Sequence, residues 1–482
     1  MQNCYESNGL FIDGEWRPAQ DGGTLSVIDP ASEEPIGSIP KATPADIDAA
    51  LEATARGFET WRRVPPFERS QILRKLAAAF RDQLEDAAKL MSRETGKPIG
   101  EARSELVASA EQFEWYAEEA KRIYGHSLDG RDAASRLQVR YSPIGPVAAL
   151  SAWNFPGLLP ARKIAAALAA GCSVVIKPSE EAPGSVFAFV KASQVAGLPN
   201  GVLNLLVGEP PKISTQLIAS PVIRKVSFTG SVPVGREIMK LAAEGLKKIS
   251  LELGGHGPVL VFEDADPEQA AQLCLRTKFR NAGQVCISPS RFYVHASRYD
   301  AFSKVFAAGA KQIVLGSGLE PGVEMGPMAN ARGVERAKQL VADALSHGAE
   351  LLAGGKRPEG FKRGFYFAPT VLGKVPETAR IMNEEPFVPV APISTFESFD
   401  EVIGRANALP FGLAGYVFTR SLSTATRASE ALEVGMVGVN ELLLATAEMP
   451  FGGVKSSGMG REGGQLGILD YLEPKYTKLR LE

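Results

Sequence analysis

A cysteine that forms a covalent adduct with a carbonyl carbon needs help: a lowered pKa, a donor for the oxyanion, and a group that releases the adduct. The chain has four cysteines, at 4, 172, 274 and 286. Cys172 lies between Gly171 and an apolar Ser-Val-Val-Ile run, and Cys274 sits inside a helix-like Leu-Cys-Leu stretch. Both read as buried, inert thiols. Cys286 closes the segment Phe279-Arg-Asn-Ala-Gly-Gln-Val-Cys286, which is polar and carries a glycine, and it is the candidate nucleophile.

Two further residues could complete that chemistry. Glu252 ends the apolar run Ile249-Ser-Leu-Glu252-Leu just before Gly254-Gly255. A carboxylate there is either a solvated strand end or a partly desolvated general base, because burial raises a carboxyl pKa toward neutrality. Asn154, in Trp153-Asn154-Phe155-Pro156 after the Val-Ala-Ala-Leu run, is either a routine turn residue or an amide donor to an oxyanion. Phe228-Thr229-Gly230-Ser231, with Gly235 four residues on, stands at a strand-to-helix junction. It fits either a tight turn or a phosphate cradle, where glycines let backbone N–H groups approach an anion. The usual GxGxxG fingerprint is absent.

The elements that must position these residues follow from periodicity. Helical spacing marks Ala45 to Arg63, Phe67 to Thr95 and Ile99 to Tyr124, so the first 126 residues read as mostly helical. From about Pro146, short apolar runs alternate with helical stretches, which means a parallel sheet covered on both faces. Such sheets bind ligands at the carboxyl ends of their strands. A second alternating region runs from Pro258 to about Asn440, giving two α/β domains.

Composition excludes several classes. The chain carries 53 basic and 55 acidic residues, for a net charge of -2, with no long like-charge run, so neither nucleic acid nor a membrane surface is expected as a partner. The start lacks the basic and apolar pattern of a signal peptide, and the apolar stretch Ile164 to Ile176 is too short to span a bilayer. Four scattered cysteines suit a reducing, cytoplasmic setting, and histidines at 126, 256, 295 and 347 show no metal-ligand spacing.

Read together, the motifs WNFP, KPSE, FTGS, LELGG, GQVC, EEPF and PFGGVKSSG resemble, in that order, the aldehyde dehydrogenase superfamily. The resemblance implies that fold: a Rossmann-like cofactor domain (1–126 and 143–254), an α/β catalytic domain (255–453) and oligomerisation elements (127–142 and 468–482) that extend a sheet into a partner of a homodimer or homotetramer. It also implies roles. Cys286 attacks the aldehyde, Asn154 and the Cys286 N–H hold the oxyanion, and Glu252 activates the water that hydrolyses the thioester. Trp153, Lys177, Glu180, Gly230, Ser231, Gly235, Glu385 and Phe387 are implied contacts of NAD, with NADP tolerated, since Glu180 suits a free ribose hydroxyl better than a 2′-phosphate. One departure is Val388, where the family usually has glycine. For the substrate, Arg162 and Arg280 match arginines that grip the carboxylate in succinate-semialdehyde dehydrogenases and in their 2-oxoglutarate- and glutarate-semialdehyde counterparts. Ala445 stands where that subgroup has a serine. A short-chain-dehydrogenase Tyr-xxx-Lys reading of Tyr471 and Lys475 is disfavoured by Pro474, and a catalytically silent member of the fold by the presence of Cys286, Glu252 and Asn154.

Overall fold

A computed structural model describes Tyr5 and residues 9–481; Cys4 lies outside the described residues. Two parallel-strand sheets carry the molecule. The first has eight strands in the order Gly458–Met459, Lys248–Glu252, Lys225–Thr229, Val147–Leu150, Val174–Lys177, Leu203–Leu205, Leu10–Ile12 and Glu15–Arg17. Its central strands are buried along their whole length, as expected of a parallel sheet packed by helices on both faces. The crossover helix Leu158–Ala170 is buried at every position, between the sheet and the long helix Ile99–Glu119.

The second sheet has seven strands in the order Glu350–Ala353, Thr370–Gly373, Val390–Phe396, Pro289–His295, Gly257–Val261, Ala414–Phe418 and Met436–Val439. All its pairings are parallel except that of the first two strands. A third sheet joins the hairpin His126–Asp129 and Ser135–Pro143 to the last strand, Leu472–Arg480, of the same chain. Lys475 is exposed within that last strand, so the Tyr-xxx-Lys helix does not form.

The helical reading of the N-terminal region needs two corrections. Four strands occupy it before the first helix: Leu10–Ile12, Glu15–Arg17, Thr24–Asp29 and Glu34–Pro40. They are short segments whose pairing partners, not their own periodicity, make them strands. The stretch Phe67 to Thr95 is two helices, Pro66–Arg81 and Leu84–Thr95, broken at Asp82-Gln83. The first helix, Pro44–Trp61, starts where the sequence chemistry demands, with Thr43 and Asp46 forming a reciprocal capping box.

Candidate active site

Strand register brings the reactive groups together. Thr229 and Glu252 are paired last residues of adjacent parallel strands, and the segment Ser151 to Asn154 leaves the next strand at the same end. On the far side, Gly458 pairs with Glu252, and Ser457 Oγ accepts from Gly412 N at 2.9 Å and donates to the Gly254 carbonyl at 2.8 Å. That hydroxyl stitches the first sheet to the second. Between them lies a cleft of about 620 Å³ whose walls include Trp153, Asn154, Gly230, Ser231, Glu252 and Cys286, with Glu385 and Phe387 reaching in from the second domain.

The nucleophile is presented by an unusual turn. Asn281, Ala282 and Gly283 take φ of 47°, 52° and 75° in succession, all left-handed, immediately before Gln284-Val285-Cys286. Only Gly283 does so without a Cβ penalty. A Cβ there would also stand 2.2 Å from the Val388 carbonyl oxygen. Val388 itself is fully buried in the second core, and Phe387 at φ 52° still meets Trp153 edge-on at 5.7 Å. The substitution at 388 therefore leaves Glu385 and Phe387 on the cleft wall.

Glu252 is 3% exposed, and neither carboxylate oxygen has a hydrogen-bond partner of ordinary geometry. Burial, reinforced by the nearby Glu462 carboxylate, lifts its pKa to about 7, while the Cys286 thiol, Lys163 and Arg162 oppose that rise. The thiol is pushed up in turn, first by burial and then by the Glu252 charge facing it. Burial and the facing carboxylate thus both disfavour a free Cys286 thiolate. Glu385 is also raised to about 7, chiefly by burial, and its Oε1 accepts from Gly255 N at 3.1 Å.

Asn154 donates its side-chain amide to the Gln284 carbonyl at 3.3 Å, which ties it to the Cys286 turn. Sequence reasoning passed over the residues that hold this arrangement. Lys97 and Asn281 both donate to the Asn154 carbonyl, at 2.8 and 3.0 Å. Lys163 donates to Thr229 Oγ1 at 2.6 Å and pairs with Glu462. Arg336 holds the Pro386 carbonyl at 3.1 Å. Their only sequence signal was proximity to a motif or a charged type inside an apolar run.

The remaining candidates are placed unevenly. Arg162 is 2% exposed and lies over the Phe451 ring at 4.0 Å, and its Nε and Nη2 have no partner. Arg280 is half-buried over Phe155 at 5.2 Å, and its charge also acts on Glu101. Ala445 is partly exposed, in the segment that leads to Phe451. The two arginines thus stand on different aromatic rings. Ser231 begins the helix Val232–Glu244, with no side chain capping its first turn. Those free N–H groups, beside Gly230 on the cleft wall, suit a pyrophosphate. Gly235 lies inside that helix, where a Cβ would meet Leu253, so it serves helix-to-sheet packing and does not line the cleft. Lys177 and Glu180 pair with each other at 2.7 Å, at the end of the neighbouring strand and outside the cleft wall.

A family model for the aldehyde dehydrogenase family matches residues 16–477. The chain belongs to the aldehyde dehydrogenase family. It is 43% identical to a glutarate-semialdehyde dehydrogenase of Pseudomonas putida over 97% of this chain and 96% of that one. A 3-sulfolactaldehyde dehydrogenase of Pseudomonas putida is 44% identical over 97% and 96%. The crystal structure of a succinate-semialdehyde dehydrogenase from Burkholderia pseudomallei superimposes with a TM-score of 0.97 at 41% identity, covering all of both chains. As a member of this family the protein is an NAD(P)-dependent oxidoreductase acting on aldehydes. Among the described residues, no helix is long and apolar enough to cross a membrane.

Proposed function

We propose that this aldehyde dehydrogenase oxidises an aldehyde bearing a second, anionic terminus, with succinate semialdehyde the best fit and glutarate or 2-oxoglutarate semialdehyde close to it. Arg162 carries the reading. A guanidinium almost wholly buried, with Nε and Nη2 unpartnered, is an uncompensated charge that a bound carboxylate would satisfy in bidentate fashion. Its charge acts on both Cys286 and Glu252, which supports a substrate role for it.

In this reading Glu252 draws the thiol proton, Cys286 attacks the aldehyde carbon, and the oxyanion is held by the Asn154 amide and the Cys286 N–H. Bound NAD(P) supplies the hydride acceptor. Gly230, Ser231, Glu385 and Phe387 would hold it in the cleft, with Lys177 and Glu180 toward its adenosine end. Hydride leaves the adduct for the bound cofactor, which turns it into the Cys286 thioester. Glu252, once the thiol proton has passed on to solvent, takes a proton from water, and the hydroxide attacks that thioester to release the acid and the Cys286 thiolate.

A second reading replaces the carboxylate by a sulfonate. Ala445 lacks the hydroxyl that the resembled subgroup has at this position, which would give a third oxygen room there, and the sulfolactaldehyde-oxidising relative is as similar as the semialdehyde ones. We also read the chain as cytoplasmic, from its few scattered cysteines, and as a homo-oligomer, because Leu128 and Tyr476 leave apolar side chains exposed on one face of the third sheet and Leu479 on the other. The test of specificity is kcat/KM against succinate semialdehyde, 2-oxoglutarate semialdehyde, glutarate semialdehyde, a sulfonated aldehyde and propanal. Anionic substrates should exceed propanal by about a hundredfold. Equal rates would make Arg162 structural.

A further inference from the structure

A buried ion pair lies behind the Asn154 turn and does not itself line the cleft. Lys97 and Glu105 are 1% and 0% exposed, with Nζ and Oε2 2.5 Å apart. A pair taken so far out of water is costly unless its other donors and acceptors are used, and here each one is directed at the cleft-forming backbone. Lys97 Nζ donates to the Asn154 carbonyl at 2.8 Å and lies 4.5 Å from the centre of the Phe155 ring. Glu105 Oε1 accepts from Gly157 N at 2.8 Å and Leu158 N at 3.1 Å, the first amides of the helix that carries Arg162 and Lys163. The lysine and the glutamate thus fix both sides of the Asn154 turn from a single point.

The second domain closes on the same oxygen. Asn281 Nδ2 donates to the Asn154 carbonyl at 3.0 Å and to the Gln284 carbonyl at 3.2 Å. Asn281 is in the left-handed turn before Cys286, and its own N–H is held at 2.9 Å by Glu101 of the helix that carries Glu105. The Asn154 carbonyl is therefore the common anchor of the oxyanion donor and of the nucleophile's turn, with one donor from each side.

We propose that Lys97 and Glu105 are positioning residues for the oxidation, setting the Asn154 amide against Cys286 without touching substrate. This rests on the oxyanion role given to Asn154 above. Misplacement of a reacting group by about 1 Å costs about a hundredfold in rate, and loss of one oxyanion donor about a hundred- to a thousandfold.

The test is a set of single and double variants assayed with the best aldehyde. Lys97→Met should lower kcat by about 10–100-fold, with the KM values for aldehyde and cofactor held within about threefold. In an Asn154→Ala background the same change should cost less than about threefold more, because the group it positions is gone. Alkylation of Cys286 by iodoacetamide should keep its wild-type rate in Lys97→Met. Should that variant not fold, Lys97→Met combined with Glu105→Leu replaces the pair by apolar side chains and leaves no lone buried charge; the same kcat loss and the same non-additivity are expected. Equal losses in both backgrounds, or an unchanged kcat, would overturn the proposal. An unchanged kcat in Asn154→Ala alone would instead remove the oxyanion assignment on which it stands.

Discussion

Replacing Glu252 by glutamine should abolish turnover while making the protein more resistant to alkaline pH. The carboxyl's ordinary pKa of 4.5 is lifted to about 7, first by burial and then by Glu462. At pH 6 about a tenth of the molecules carry the charged base, and at pH 8 about nine tenths, so hydrolysis of the thioester should rise about tenfold across that interval and then level off. The same shift has a thermodynamic face. Between 4.5 and 7 the folded protein keeps a proton that the unfolded chain has released, so stability falls as pH rises through that window. The drop amounts to about 3 kcal/mol at about 1.4 kcal/mol for each tenfold step.

Glu252→Gln cannot titrate, so relative to wild type it should gain about that much between pH 5 and pH 8. Rapid-mixing measurements with saturating aldehyde should show reduced cofactor rising to close to one per active site, more slowly than in wild type because the thiol has lost its proton acceptor, followed by a steady rate reduced at least about a hundredfold, with the acyl adduct on Cys286 visible by intact mass. Thermal midpoints of the two proteins at pH 5.5 and 8 report the stability term. A steady-state rate within threefold of wild type, or a pH limb near 7 that survives the substitution, would refute the assignment of Glu252 as the base. A stability gap that does not widen with pH would refute the burial argument for its pKa.

Other outcomes follow from the same geometry. Arg162→Met should reduce kcat/KM for succinate semialdehyde by about 10–150-fold, the worth of one charged hydrogen-bonded contact, and leave propanal nearly unchanged. Glu180→Ala frees Lys177 from its partner, and steady-state kinetics with the two cofactors should show the NADP-to-NAD ratio of kcat/KM rising at least about tenfold. Gly283→Ala sets a methyl 2.2 Å from the Val388 carbonyl at φ 75°, and chemical denaturation should register a loss of about 1–3 kcal/mol together with a lower kcat.

Which side chains do the chemistry was legible in the sequence, because a reactive cysteine, a strand-end carboxylate and an amide next to Phe-Pro are distinguished by local context. Cys286 differs from Cys172 and Cys274 in its sequence neighbours, and the fold keeps it on the cleft wall while those two are fully buried. The alternation of apolar runs and helices likewise announced parallel sheets, since burial on both faces removes polar positions from the strand. The early strands from Leu10 to Pro40 and the break at Asp82-Gln83 were not legible, because short pairings and helix ends depend on what packs against them.

Only the tertiary structure decided that the two arginines stand on different aromatic rings, that Gly235 packs against Leu253, and that Lys97, paired with Glu105, and Asn281 converge on the Asn154 carbonyl. Residues 97 and 105 are distant in sequence from 154 and 281, and their proximity comes from the packing of the helix Ile99–Glu119 against the helix Leu158–Ala170. A residue's type fixes what chemistry it can offer. Its pKa and its partners depend on which groups the fold removes from water beside it, and no stretch of sequence contains that information.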